Sequence, residues 1–483
     1  MKFTILATSD VHGQAERFSK LAHMICSKQP ALLIDNGDFL QGSHLSYFYE
    51  RVKKSPHPLL QMANELKYDV AVFGNHEFNY TLSEIEKMRL ACNFPWIAGN
   101  IGDFSKAYYI KEIENIRVAV VGIVTHHVPV WDEENLTQNL TFTDALEAAK
   151  HWVHYVREQE QPNLVILCYH GGFERDVDTG IPYDENMGEN QGYAMLQEID
   201  GIDIFITGHQ HLQFATKVGT VPVIQPGSHA HCLAQIDVTI ENGCISHEPS
   251  LVFVDEEAAG VTFSEVDAWL DLKVGYVNGD MSFHDFMEIR LADHPYLQFL
   301  HNVQLEASNA QLSVTELFYH DCGGFSGNVT IRDILKNYPR ANYLQVIKLS
   351  GAEIREALEQ CATVFAIDKD REIALSTMVY YPEPQPYVYD FWGGIEYELN
   401  ISKAVGKRVT KLLYKGEQIL NEATFEVVVN SYRATGAHGF HMMKKQAIRE
   451  IRIDIPELMM RYFKKNSPIQ LTDIKNWHVI KNS

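Results

Sequence analysis

Seven residues in the first half of the chain have the types and spacing of metal ligands: Asp10 and His12, Asp38, Asn75, His170, and His209 with His211. Each group follows a short apolar run within a few residues, and glycines (Gly13, Gly37, Gly74, Gly171, Gly208) lie beside them. Imidazole, carboxylate and one amide oxygen, without cysteine, suit Mn²⁺, Zn²⁺, Fe or Co rather than Ca²⁺ or a thiolate-bound structural zinc. Seven donors exceed what one tetrahedral ion takes and suit two ions sharing a bridging carboxylate. An Asp-x-His or Gly-His-x-His alone reads equally well as turn chemistry; five such groups in order along one chain do not.

The apolar runs are "FTILAT" (3–8), "ALLID" (31–35), "DVAVF" (69–73), "LVILC" (164–168) and "IDIFIT" (202–207), with further strand-like stretches "IRVAVVGIV" (116–124) and "VPVIQ" (221–225). They are short, β-branched and unalternating, as strands buried on both faces are. Helical periodicity fills "RFSKLAHMICSK" and "TLSEIEKMRLAC" between them. Strands separated by helices predict an α/β sandwich of buried sheets. In such sheets ligands bind beyond the carboxyl ends of the strands, so all seven residues can converge, given glycines for the tight turns.

The second half has its own elements: "TIRDILKNY" and "GAEIREALEQC" read as helices, "YLQVIKLS" and "FEVVVNSY" as strands. The expected division is a first domain over 1–255, a partly helical acidic connector over 256–285, and a second domain over 286–483. Within the second, "YYPEPQPYVYDFWGG" (380–394) is a proline- and aromatic-rich loop, unusual for a linker.

Composition narrows the function. Of 483 residues 46% are hydrophobic, enough for real cores, and the net charge of −22 argues against gripping nucleic-acid polymers or anionic membranes. A small anionic substrate stays open, because a bound metal inverts the local field. Seven cysteines without a C-x-x-C pair read as reduced thiols, no run approaches the ~20 apolar residues of a membrane span, and the start lacks a secretory apolar core; the expectation is cytoplasmic. Nothing here speaks to oligomeric state.

"DVHG", "GDFLQGS", "GNHEFNY", "YHGG" and "GHQH" resemble the calcineurin-like metallophosphoesterases, and "VVNSYRATGAHGF" resembles the C-terminal nucleotide-binding domain of the 5′-nucleotidase family. Details such as "QGSHLSYF", "GIVTHHVPVWDEENL" and "NSYRA" look most like its 2′,3′-cyclic-nucleotide phosphodiesterase/3′-nucleotidase branch. The resemblance implies an N-terminal four-layer αββα sandwich joined to a C-terminal α/β substrate domain, and hydrolysis of nucleotide phosphoesters by direct attack of a metal-bridging hydroxide. It implies that Asp10, His12 and His211 hold one ion and Asn75, His170 and His209 the other, with Asp38 between them. His76 then points past the ions at the substrate, to stabilise developing charge or protonate the leaving oxygen. The 5′-nucleotidases hold this histidine with an Asp three residues on; Asn79 stands here. An amide orients the ring but adds no charge to favour imidazolium, which tilts the chemistry toward strained cyclic esters.

The family stacks its base between two rings of the second domain. Matching positions make Tyr389 or Phe391 one ring and Phe440 or Tyr432 the other. Two departures weaken any assignment of a particular nucleotide: Phe325 stands where an Arg after a Gly-rich turn is usual, and His438 where an acid is common. His126, His127, His229 and His231 read as loop histidines near the cleft, and Glu189 and Asn190 as residues opening a helix. Two other readings stay open: a phosphohydrolase or sulfur-ester hydrolase with a non-nucleotide substrate, and a non-catalytic binding protein on this fold.

Overall fold

All five ligand-bearing apolar runs are strands in the computed structural model, which describes residues 1–131, 140–183, 188–241, 244–318, 323–340, 342–376, 379, 386–471 and 475–482. The loop residues 380–385 and Cys322 lie outside the described residues. The chain divides into two units, Met1–Phe263 and Ser264–Ser483.

The first unit contains two six-stranded mixed sheets. One holds β1 (Lys2–Thr8), β2 (Leu32–Asp35), β3 (Val70–Val72) and β4 (Trp96–Ile97), all parallel. The other holds β5 (Tyr108–Ile113), β6 (Ile116–Val124), β7 (Leu164–His170), β8 (Ile204–Thr207), β9 (Gln213–Val218) and β10 (Val221–Pro226), with β6, β7, β8 and β10 parallel. An antiparallel hairpin, β11 (Cys232–Glu241) and β12 (Cys244–Phe253), flanks β1 and completes the first sheet.

One core joins the sheets. Ile5, Leu32, Ile34, Val70 and Val72 from the first meet Val118, Val120, Leu164, Ile166, Ile204 and Ile206 from the second. The opposite face of the second sheet turns Val121, Val165, Leu167 and Phe205 to Ala149 and Val153 of helix Ala145–Tyr155. With both faces covered, the short parallel strands are nearly continuous apolar runs, which is why little alternation shows in their sequence. Helix Leu82–Ala91 begins at a capping box in which Thr81 and Glu84 satisfy each other's amides. The four layers are helices, sheet, sheet, helices.

The second unit is built on a five-stranded sheet whose central strand, Thr424–Asn430, lies between Leu312–Thr315 and Leu344–Ser350. Helix Gly351–Ala362 starts at a Ser350/Glu353 capping box. Residues 256–285 contain helix Ser264–Leu270 and strand Lys273–Asp280, which pairs with Ser326–Thr330 and Ile469–Gln470 of the second unit. No helix among the described residues is long and apolar enough to cross a membrane.

Candidate metal centre and active site

Asp10 and His12 follow β1, Asp38 follows β2, Asn75 follows β3, His170 ends β7, and His209 and His211 follow β8. The first four side chains come from one sheet and the last three from the other, and they meet where the parallel strands of both end. Asp10 and Asp38 are buried. The ligand atoms of Asp10, His12 and His211 lie within 4.8 Å of one another, as do those of Asp10, Asp38 and His170.

The backbone is shaped to aim these side chains. Asp10, His12, Asp38, His209 and His211 all have φ between +49° and +71°, a left-handed conformation that L-residues avoid. Close approach explains two of the glycines: a Cβ on Gly208 would stand 2.7 Å from Asp10 Oδ2, and one on Gly37 2.6 Å from His170 Nδ1. Nothing larger fits.

Outer hydrogen bonds set which nitrogen each imidazole presents. His170 Nδ1 is 2.6 Å from the Asn36 carbonyl, leaving Nε2 3.2 Å from Asp38 Oδ2 and 3.9 Å from Asp10 Oδ1. His12 Nδ1 is 2.9 Å from the Gln41 carbonyl, and its Nε2 stands 3.0 Å from His211 Nε2. His209 and Asn75, both candidate ligands, approach each other, Nδ1 2.8 Å from the amide oxygen, whereas His170 and His12 are each tethered by a backbone carbonyl. Such tethering is how protein ligands are held for a metal.

Burial alone would raise the Asp10 carboxyl, but His170 and His211 outweigh it and hold Asp10 at about 2; the same contest leaves Asp38 well below the carboxylate range, with His170 its strongest counterweight. His170 is correspondingly pushed up to about 10, against a burial effect of opposite sign, by Asp38 and Asp10. The donor set fits divalent cations. Among the described residues the two buried carboxylates form ion pairs only with imidazoles, and two imidazole nitrogens converge to hydrogen-bonding distance, an arrangement a cation between them relieves.

His76 sits at the edge of this cluster, half-buried. Its backbone N–H donates to Asp38 Oδ1 at 2.8 Å, and its Nε2 is 4.0 Å from Asp38 Oδ2. Asn79 Oδ1 is 2.6 Å from His76 Nδ1. The His76 and Asn79 side chains that the family resemblance pairs are in contact, both residues lying on the single turn His76–Asn79.

Three contributors escaped the sequence reading. Glu77, fully buried, accepts from the amides of Asp38 (2.9 Å), Phe39 (2.8 Å) and Gly74 (2.8 Å), so one carboxylate ties the turn after β2 to the turn after β3. Burial, then Asp38, pushes it up to about 7. Glu189 Oε1 lies 3.6 Å from His209 Nε2, and Trp131 stacks on the His209 ring with centroids 5.5 Å apart. The expectation that Glu189 and Asn190 open a helix is corrected. Helix Gly192–Glu198 begins beyond them, and Asn190 Oδ1 accepts from the Gly172 amide at 2.7 Å. Asn190 braces the loop after β7 instead, and Glu189 accepts from Tyr169, Thr125 and Asn190.

The aromatic assignments in the second unit need correction too. Tyr389, Phe391 and Phe440 have no exposed surface and belong to that unit's hydrophobic core. Tyr389 packs edge-on to Phe391 at 4.8 Å, and Phe440 lies under the Arg433 guanidinium at 4.2 Å. The cause is a buried ion pair: Arg433 Nε donates to Asp390 at 2.9 Å, Nη1 to the Ala437 carbonyl at 2.9 Å and Nη2 to the Tyr387 carbonyl at 2.8 Å. Arg433 thus draws the segments around 389 and 440 inward. Tyr432 remains half-buried, its hydroxyl 3.0 Å from His438 Nε2, while the half-buried Tyr387 ring sits 5.2 Å from that of His438. Arg332 pairs with Asp267 and Asp271, and Phe325 is core.

Comparison with known proteins agrees with the geometry. Residues 3–213 match the calcineurin-like phosphoesterase family and residues 273–445 the 5′-nucleotidase C-terminal domain. Over 99% of its length the chain is 25% identical to the trifunctional nucleotide phosphoesterase protein YfkN of Bacillus subtilis, of which it spans 39%. Over 89% of its length it is 26% identical to a 2′,3′-cyclic-nucleotide 2′-phosphodiesterase/3′-nucleotidase of Yersinia enterocolitica, 80% of which is covered. A Staphylococcus aureus protein assigned as a 5′-nucleotidase, solved in complex with α-ketoglutarate, superposes with a TM-score of 0.93 at 29% identity over 100% of both chains. With both domains matched in order along one chain, the protein belongs to the calcineurin-like phosphoesterases that carry a 5′-nucleotidase C-terminal domain.

Proposed function

We propose that the chain is a dinuclear-metal phosphohydrolase acting on nucleotides, either as a 2′,3′-cyclic-nucleotide 2′-phosphodiesterase/3′-nucleotidase or as a 5′-nucleotidase. The observation that carries this is the buried Asp10–Asp38–His170 cluster with the His76–Asn79 pair at its edge. Asp10, His12 and His211 are the residues for one ion and Asn75, His170 and His209 for the other, with Asp38 shared; Mn²⁺, Zn²⁺, Fe and Co all suit this donor set. A pair of such ions supplies Lewis acidity and a low-pKa water for in-line displacement at phosphorus.

The protein's own residues do the rest. Asn79 fixes the His76 ring through Nδ1, which presents Nε2 for the developing charge or for a proton on the leaving oxygen. Glu77 keeps the turns bearing Asp38 and Asn75 in register through its three amide contacts. The free state of all six described cysteines supports a cytoplasmic placement. Metal-reconstituted protein assayed on 2′,3′-cyclic AMP, 3′-AMP, 5′-AMP and a nitrophenyl phosphodiester tests the reading. Turnover of the nitrophenyl ester with no turnover of any nucleotide would favour the non-nucleotide alternative.

For the base, the half-buried Tyr432 is the remaining candidate of the four aromatic residues. Tyr432→Ala is expected to lower kcat/KM for nucleotides about 5- to 150-fold, the equivalent of ~1–3 kcal/mol of stacking, while leaving the nitrophenyl ester unaffected. Phe440→Ala should instead cost ~3–5 kcal/mol of stability, as core truncations do, and depress both activities together. Melting temperature measured beside both substrates separates the two outcomes.

A further inference from the structure

Left-handed non-glycine residues in the first unit sort by cause. Gln29, Lys54, Lys67 and Gln161 close helices, and Glu114 lies between β5 and β6. The other seven are Asp10, His12, Asp38, His209, His211, His229 and Ala230. Five of these are candidate ligands. Such conformations are strained for L-residues and persist where surrounding contacts over-determine them, commonly at functional sites. His229 and Ala230, both at φ +57°, therefore call for a cause of the same kind.

Their surroundings supply it. The His229 amide donates to the Asp10 carbonyl at 2.7 Å, and its carbonyl accepts from Arg17 Nη1 at 3.0 Å. Arg17 is in turn paired with Glu256 at 3.1 Å, and Ser228 Oγ lies 2.7 Å from His229 Nδ1. Held in this way, the half-buried ring packs against both imidazoles of the Asp10–His12–His211 group. Its centroid is 5.3 Å from that of His12, tilted by 37°, and 5.8 Å from that of His211, nearly perpendicular at 80°. The outer torsion of a histidine is broad and roughly two-fold, so a ligating ring takes its orientation from its neighbours.

We propose that His229 is a positioning residue for this ion site: its ring braces His12 and His211 so that their Nε2 atoms converge. This rests on the reading of Asp10, His12 and His211 as ligands. The strain of the His229–Ala230 turn is what aims the brace.

The test is a Co²⁺ titration of metal-stripped full-length protein, followed by visible absorption and by competition with a chelator. Wild type is expected to take up two ions. His229→Ala and His229→Asn, the latter tolerant of a left-handed backbone, should bind one ion ~10–100-fold more weakly with a changed absorption band and leave the other unaltered, the loss typical of removing a ligand's support. His229→Phe keeps a ring without nitrogens and should stay near wild type. Wild-type affinity for both ions in the Ala and Asn variants overturns the proposal. Weak binding by the Phe variant overturns it as well, because a nitrogen rather than a ring would then be needed. Wild type that binds no Co²⁺ sinks the ligand reading itself.

Discussion

His76→Asn is expected to lower kcat by about 10²–10⁴-fold, the span typical of a positioned acid or base, with metal content unchanged. The ring has no role in the ligand set proposed for either ion, and its half-buried position keeps it out of the core, so the variant should fold. The loss should shrink for substrates with a good leaving group such as nitrophenolate, where protonation of the departing oxygen matters less. Equal losses on all substrates would instead indicate displaced geometry, since the His76 amide also donates to Asp38. The 2.6 Å contact with Asn79 allows a second measurement. Asn79→Asp places a carboxylate against Nδ1 and favours imidazolium, so the alkaline limb of the kcat profile should move to higher pH. An unmoved limb would mean that His76 does not act as the acid.

Asp38→Ala should empty both ion sites and abolish activity. Asp38 Oδ2 lies 3.2 Å from His170 Nε2 and 3.9 Å from His12 Nε2, so its carboxylate faces imidazoles assigned to different ions. Elemental analysis of the purified variant provides the readout. Retention of one full equivalent would mean that Asp38 serves a single site and does not bridge, whereas wild-type enzyme active without metal would end the dinuclear reading.

The seven candidate ligands were legible because chemistry and topology coincide at strand ends. A buried parallel strand is a largely apolar run, and a polar residue at or just past its carboxyl end faces the loop side of the sheet. Asp10, Asp38, Asn75, His170 and His209 each fit that description. Glu77 was hidden for the opposite reason: its partners are backbone amides, which carry no residue signature. Trp131 and Glu189 reach His209 across long stretches of chain, and no local pattern encodes such a meeting. The aromatic residues failed on burial. Tyr389 and Phe440 have the composition of a stacking clamp, but whether a ring faces solvent was decided by the Asp390–Arg433 pair, itself a contact between residues 43 positions apart.

The first unit's core is a seam between two sheets, and the candidate ligands straddle its edge: Asp10, His12, Asp38 and Asn75 on one side, His170, His209 and His211 on the other. An ion drawing donors from both sides is a clasp across that seam, in addition to any part it plays in hydrolysis. Binding to the folded form alone stabilises by about 2.7 kcal/mol at a free-ion concentration of 100 Kd. Chelation should therefore lower the first unit's melting temperature and speed amide exchange at the ends of β1, β2, β7 and β8 before it affects their middles. On the dinuclear reading, metal supply is expected to govern how long the fold lasts as well as how fast the enzyme turns over.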